Sequence, residues 1–436
     1  MQAQVENIGQ LERRIRISVP RAQIDAEIES RLKRIARTAK IHGFRPGKVP
    51  MKLVAQQYGG QVRQEVITEA GSRGISDALY EQKIKVAGMP RFETAAADAA
   101  NGEQLEFSAT FEVYPEIVVG SISSAKIERP TVQVTDADVD KTIDILRKQR
   151  ATFEPSETAA QQGDQVDIDY SGTIDGQPFA GGATQGYVVT LGEGRTLADF
   201  DGPLEGMKAG EEKTYDVTFP TDYHGKEVAG KTAQFQVKVN RVLAARLPDI
   251  GPELAQALGV EDGDINKMRA EVRANIEREV SKRVENKVKE QVMQALTDAT
   301  PLSVPRALID SEIERLQQRA RQDMAGRGIK ADDMPMPADL FEAQAQRRVT
   351  LGLILAEVVK AHDLKAQAEQ VRKLIDEYAE SYEKPEQVVA WYYENPTRLA
   401  EVESLVLEQN VVSWALNQAQ VHDKPIAFDE LMGINK

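Results

Sequence analysis

The chain has 436 residues, of which 41% are hydrophobic and 28% charged, and this length points to several domains, because a single core stops growing near about 250–300 residues. Cysteine is absent, which excludes disulfides, thiolate nucleophiles and cysteine-ligated zinc or iron sites and fits a reducing, cytosolic setting. The formal net charge of −14 is uneven: residues 1–50 hold eleven Lys/Arg against five Asp/Glu, a balance of +6, which leaves −20 on residues 51–436.

The opening MQAQVENIGQ has no basic stretch followed by an apolar run, so no secretory signal is expected. The longest strongly apolar run, Val349 to Val359, contains Glu357 and is shorter than the roughly 20 residues a spanning helix needs. A soluble chain with no membrane partner is expected. Ile15, Ile17 and Val19 alternate with Arg14, Arg16 and Ser18, the period of a half-buried strand; Leu105, Phe107, Ala109, Phe111 and Val113 repeat it. Between them Ile28, Leu32, Ile35 and Ala39 recur at helical spacing with Gly43 as a stop, and a second helix is expected after Pro50, ending near Gly59-Gly60. Residues 1–115 therefore read as a small α+β domain with GFRPGK, 43–48, in a helix-to-helix loop. That loop ends a basic run: Arg31, Lys33, Arg34, Arg37, Lys40, Arg45 and Lys48 occur without one acidic residue between them, which suits phosphate contacts.

Residues 116–150 read as a linker with one short helix. A β block follows at 151–246, where Val166, Ile168 and Tyr170 alternate with Asp167, Asp169 and Ser171, and Asp175-Gly176 signals a hairpin. Tyr215, Val217 and Phe219, then Ala233, Phe235, Val237 and Val239, keep the same period. From Pro248 to the end the pattern is helical. Residues 264–299 lack Gly and Pro and carry one apolar stripe from Ile265 through Met268, Val272, Ile276, Val280, Val284, Val288 and Val292 to Leu296, a helix of roughly 50 Å. Further helices are expected near 305–325, 338–361, 365–380 and 397–420.

Several chemistries are excluded on spacing. GFRPGK has three residues between Gly43 and Gly47, where a phosphate-binding loop has four, and Val49 stands where a magnesium-binding hydroxyl belongs. GGATQG at 181–186 and LGEGRT at 191–196 read as turns. His42, His224, His362 and His422 are scattered and form no metal-binding pair. No metal and no cofactor is expected.

Residues 163–172 (GDQVDIDYSG), 175–182 (DGQPFAGG), 191–207 (LGEGRTLADFDGPLEGM) and 210–223 (GEEKTYDVTFPTDY) resemble successive blocks of the FK506-binding type of peptidyl-prolyl isomerase. The resemblance implies a pocket lined by Tyr170, Phe179, Leu197, Phe200, Tyr223 and Phe235, with Tyr187, Val189 and Phe219 as further candidates. It also exposes departures: Ala180 replaces a common aspartate, Asp199 a glycine, and Phe200 the usual tryptophan. Rotation about X-Pro breaks amide resonance, a barrier of about 18–20 kcal/mol, and a dry aromatic pocket favours the twisted amide without any acid, base or metal.

Over nearly its whole length the chain resembles the bacterial trigger factor family. The resemblance rests on Gly43-Phe44-Arg45-x-Gly47-x-x-Pro50 with the following MKLVAQQYG, on the isomerase block at 151–246, and on LFEAQAQRRVTLGLILAEV at 340–358. It implies a multidomain α+β protein. Residues 1–115 would be a ribosome-docking α+β domain and 151–246 an antiparallel β isomerase domain, with 247–436 an elongated all-α chaperone body bearing two helical arms. Gly43, Phe44, Arg45, Gly47 and Lys48 would bind the ribosome, at an exit-site ribosomal protein and nearby RNA. Pro46 stands where relatives often carry a basic residue. Nascent and unfolded polypeptides would be the clients, the location cytoplasmic and partly ribosome-associated, and a homodimer off the ribosome is compatible with the family. The alternative is a free-standing isomerase that does not dock.

Overall fold

The computed structural model describes residues 3–39, 42, 44, 48–94, 103–223, 225–329, 335–380 and 382–434. The chain divides into two units, one of Met1–Arg129 with Lys287–His422 and the other of Pro130–Asn286 with Asp423–Lys436.

In the first unit, β1 (Ala3–Asn7), β2 (Glu12–Pro20), β3 (Val86–Thr94) and β4 (Gln104–Val113) form an antiparallel sheet in the order β1-β2-β4-β3. The alternation in β2 and β4 puts Ile15, Ile17, Val19, Phe107, Ala109 and Phe111 on one buried face, with Ile17 opposite Phe107 and Ile15 opposite Ala109. Helices α1 (Arg21–Thr38) and α2 (Met51–Glu81) contribute Ile24, Leu32, Val54, Val62, Val66, Ile75 and Leu79 to the same core. α2 does not stop at Gly59-Gly60 but runs for 31 residues. Each helical glycine costs about 1 kcal/mol, whereas each buried aliphatic side chain contributes about 1.5–3 kcal/mol, so the apolar stripe beyond residue 60 wins. Gly71 is a different case: a Cβ there would lie 2.5 Å from Cδ1 of Phe107, so its absence lets α2 approach the sheet.

The second unit begins within β5 (Lys126–Thr131) and continues with α3 (Asp136–Gln149). A capping box starts α3: Thr135 N donates to Asp138 Oδ2 at 2.8 Å and Asp138 N to Thr135 Oγ1 at 3.4 Å. A five-stranded antiparallel sheet follows, made of β6 (Thr152–Ser156), β7 (Gln165–Ile174), β8 (Gln177–Thr190), β9 (Glu212–Thr218) and β10 (Thr232–Arg246), with the short α4 (Ala198–Asp201) before β9. β10 is central: β7 lies on one side, and β9 and then β6 share the other. The β7–β8 turn is Asp175-Gly176, both residues at positive φ, as a tight two-residue hairpin requires. GGATQG is not a free turn. It lies within β8, where Gly181 (φ +79) and Gly186 (φ +65) take left-handed backbone near two register shifts against β7.

Helices α5 (Pro252–Ala257) and α6 (Ile265–Ala299) follow. The first half of the α6 stripe, Met268, Val272, Ile276 and Val280, packs with Val139, Ile143 and Leu254 in the second unit. In the first unit come α7 (Arg306–Gly326), α8 (Asp339–Ala361), α9 (Ala368–Ala379), α10 (Pro385–Tyr393) and α11 (Pro396–Gln418). Ile309, Ile313 and Leu316 of α7 pack on Ala345 of α8, while α9, α10 and α11 share a core around Ile375, Val389 and Val402. Glu312, only 8% exposed, receives Arg348 Nε at 3.1 Å and Arg315 Nη1 at 3.4 Å.

The C-terminal region is not purely helical: β11 (Gln420–Pro425) precedes α12 (Phe428–Met432). In the first unit Gln420 N donates to Ala125 O at 2.9 Å, and in the second Ile426 N donates to Thr131 O at 3.1 Å. These partners are almost 300 residues apart, so nothing local in QVHDKP announces the strand. Among the described residues no helix is long and apolar enough to cross a membrane.

Candidate active site

The β domain places its aromatic side chains by strand alternation. Val166, Ile168, Val237 and Val239 fill the sheet's buried face, and Tyr170 and Phe235 continue those rows toward an opening. Gly172 stands opposite Phe235 in the β7–β10 ladder; a Cβ on it would lie 2.6 Å from the Phe235 ring, so only glycine leaves that ring its place. α4 supplies Phe200, 7% exposed, and the residue before it supplies Leu197.

All six residues implied by the resemblance, Tyr170, Phe179, Leu197, Phe200, Tyr223 and Phe235, line one cavity of about 730 Å³. Tyr187 and Phe219 line it too. Val189 does not; it is 4% exposed and belongs to the core beneath. The rings meet edge to face: Phe200 with Phe235 at 5.3 Å and 83°, Phe200 with Tyr170 at 5.5 Å and 80°, and Phe179 with Phe235 at 6.1 Å and 88°. Such contacts are worth about 0.5–1.5 kcal/mol each beyond their buried area and hold the rings in fixed orientations. Ala180 lines the cavity where a carboxylate is common, and Asp199 is exposed on α4. Arg195, Lys226 and Glu227 stand at the rim, all exposed.

The supporting polar groups went unrecognised in the sequence; of them Thr196 lines the cavity, while Tyr215, Asp201 and Asp167 lie behind its wall. Tyr215 Oη donates to Phe200 O at 2.9 Å, and Thr196 Oγ1 donates to the buried carboxylate of Asp201. Burial, followed by the Asp201 charge, pushes the Tyr215 hydroxyl far above its ordinary value; burial also raises Asp201, against the opposing pull of Thr196. On β7, Asp167 accepts from Arg241 Nη2 at 2.6 Å and from Asn240 Nδ2 at 3.2 Å, and these bonds, Arg241 first, hold its carboxyl below the usual range. The only signal for Tyr215 was its place in the Tyr215, Val217, Phe219 alternation. Among the described residues no group of three or more His, Asp or Glu side chains could hold a metal; His224 lies outside them.

Of the proposed docking segment, Phe44 and Lys48 are exposed, Phe44 to 41%, between α1 and α2. Gly43, Arg45 and Gly47 lie outside the described residues. The basic run is not uniform. Arg31 is held by Glu27 and Glu69, and Lys33 by Glu29 at 2.6 Å, whereas exposed Arg34 and Arg37 have no ion pair among the described residues.

Residues 1–146 match the family described as bacterial trigger factor protein, residues 264–417 its C-terminus, and residues 156–240 the FKBP-type peptidyl-prolyl cis-trans isomerases. Trigger factor of Nitrosospira multiformis is 54% identical over 434 residues, covering 99% of this chain and 100% of its own. Those of Laribacter hongkongensis and Chromobacterium violaceum are each 52% identical, over 99% of this chain and 100% and 99% of theirs. This chain belongs to the trigger factor family, and it is a ribosome-associated chaperone with an FKBP-type peptidyl-prolyl isomerase domain.

Proposed function

We propose that the aromatic cleft of Tyr170, Phe179, Leu197, Phe200, Tyr223 and Phe235 seats the X-Pro bond that the enzyme rotates. The observation that carries this is the single cavity of about 730 Å³ floored by Phe200 and walled by edge-to-face rings. A prolyl ring needs an apolar seat, and the twisted amide, having lost charge separation, is less penalised there than the planar one. Shortening an uncatalysed isomerisation of tens of seconds a thousandfold takes about 4 kcal/mol of preferential binding, within reach of a few ring contacts. In a proline-limited refolding assay, Phe200→Ala and Tyr223→Ala should each slow catalysis at least about tenfold; wild-type rates in both would remove the cleft from the mechanism.

Phe44 is the docking anchor in this proposal, with Arg45 and Lys48 reaching a carboxylate of an exit-site ribosomal protein or phosphates of nearby RNA, and Gly43 and Gly47 permitting the turn. What supports it is the exposure of Phe44 and Lys48 in the connection between α1 and α2, after the basic run of α1. The domain limits 1–115, 116–150, 151–246 and 247–436, a cytoplasmic location and a homodimer off the ribosome belong to the same proposal. Co-sedimentation with ribosomes should fall sharply for Phe44→Ala with Arg45→Ala; unchanged pelleting contradicts the docking role.

A further inference from the structure

Phe200 is carried by α4, a helix of four residues. One turn does not sustain itself, because nucleation fixes several dihedrals for one hydrogen bond. Within the segment, Phe200 N and Asp201 N donate to Leu197 O at 2.8 and 3.1 Å, and Thr196 donates to Asp201. Those bonds tie the turn to itself. The bond that ties Phe200 to the sheet comes from Tyr215 in β9, whose hydroxyl donates to the Phe200 carbonyl oxygen at 2.9 Å. That carbonyl is one of those a helix end leaves without an internal partner. The Tyr215 ring stands 6.1 Å from the Phe200 ring and is not part of the cavity wall, so any effect it has on substrate passes through Phe200. A second tether, Lys213 Nζ to Pro203 O at 3.0 Å, comes from an exposed side chain and reaches the chain three residues past Phe200.

We propose that Tyr215 is a positioning residue of the isomerase, its hydroxyl setting how far the Phe200 ring stands into the cleft. The proposal rests on the cleft being the X-Pro site. With Phe235 and Tyr170 at 5.3 and 5.5 Å from Phe200, a small shift of α4 re-aims the floor, and catalysis by differential binding is sensitive to such shifts. Burial raises the pKa of the hydroxyl, which favours the protonated, donating form.

The test is Tyr215→Phe in the full chain, with kcat and KM measured on a short Leu-Pro peptide well below the thermal midpoint. The expected result is a fall in kcat of about three- to tenfold, the worth of one intramolecular hydrogen bond, with KM nearly unchanged and Lys213→Ala behaving as wild type. A hydroxyl that serves only stability would lower the thermal midpoint and leave kcat of the folded protein intact; that result overturns the proposal. Phe200→Ala is measured alongside. If it is impaired while Tyr215→Phe is not, the positioning role alone fails; if it keeps wild-type kcat/KM, the cleft assignment fails and the positioning role with it.

Discussion

Gly172→Ala tests whether the cleft geometry rests on one missing Cβ. The added carbon would stand 2.6 Å from Cε1 of Phe235 and 2.9 Å from Cδ1 and Cζ, where carbon pairs prefer about 3.5–4.0 Å. The pairing of Gly172 with Phe235 in the β7–β10 ladder resists moving the two backbones apart, although against β8 the register shifts between Ser171 and Thr173. The Phe235 ring must move about 1 Å, and the free space beside it is the cavity. Overpacking of this kind costs about 1–3 kcal/mol, which corresponds to amide exchange in β7 and β10 about 5- to 150-fold faster, read by hydrogen exchange of those segments. Exchange in α9 and α11 should not change, because those helices have a separate core. Catalysis on an X-Pro peptide should fall together with β7–β10 protection. Wild-type exchange and wild-type kcat/KM in this variant would refute the placement of Phe235 as a cleft wall.

The uneven pairing of the basic run predicts a difference among its arginines: Arg34→Ala and Arg37→Ala should each flatten the log–log salt dependence of ribosome binding by about 0.7–0.9, whereas Arg31→Ala, whose charge Glu27 and Glu69 already offset, should not. Equal slopes for all three would show that pairing in the free protein does not matter to docking. Asp167 gives a pH signature. Its folded-state pKa is lowered from the ordinary 3.8, so its contribution to stability is present above that value and is lost as pH falls through the lowered one. Asp167→Asn should therefore weaken protection of the β domain at neutral pH and converge with wild type in strong acid; a pH-independent difference would contradict the ion-pair account.

Much of the fold was legible because it is written in local periods. The β2 and β4 alternation, the Asp175-Gly176 hairpin and the α6 stripe each satisfy a rule that needs no distant partner. The errors fall where distant partners decide. Gly59-Gly60 signals a stop, yet α2 continues because Val62, Val66 and Ile75 find a sheet to cover. β11 exists only by pairing with β5, almost 300 residues away in the sequence. α10, absent from the helices expected on periodicity, opens with Pro385 at its first position, a helix-start signal. The cleft residues were legible through the block resemblance alone, since aromatic side chains at strand spacing look the same whether they face a core or an opening. Val189 shows the ambiguity: it shares the alternation and ends up in the core. Tyr215 could not be singled out, because its role depends on a hydroxyl meeting one backbone oxygen across the fold.

The most direct test of the cleft is to watch the bond itself rotate. Exchange spectroscopy on a Leu-Pro peptide, with the full chain in catalytic amounts, measures cis–trans interconversion without refolding or coupled proteolysis. Wild-type protein should raise the exchange rate far above the uncatalysed one, whose time constant is tens to hundreds of seconds, and Phe200→Ala should remove most of that gain while its β10 amides stay protected. Equal exchange rates for wild type and a folded Phe200→Ala would place the chemistry somewhere other than this cavity.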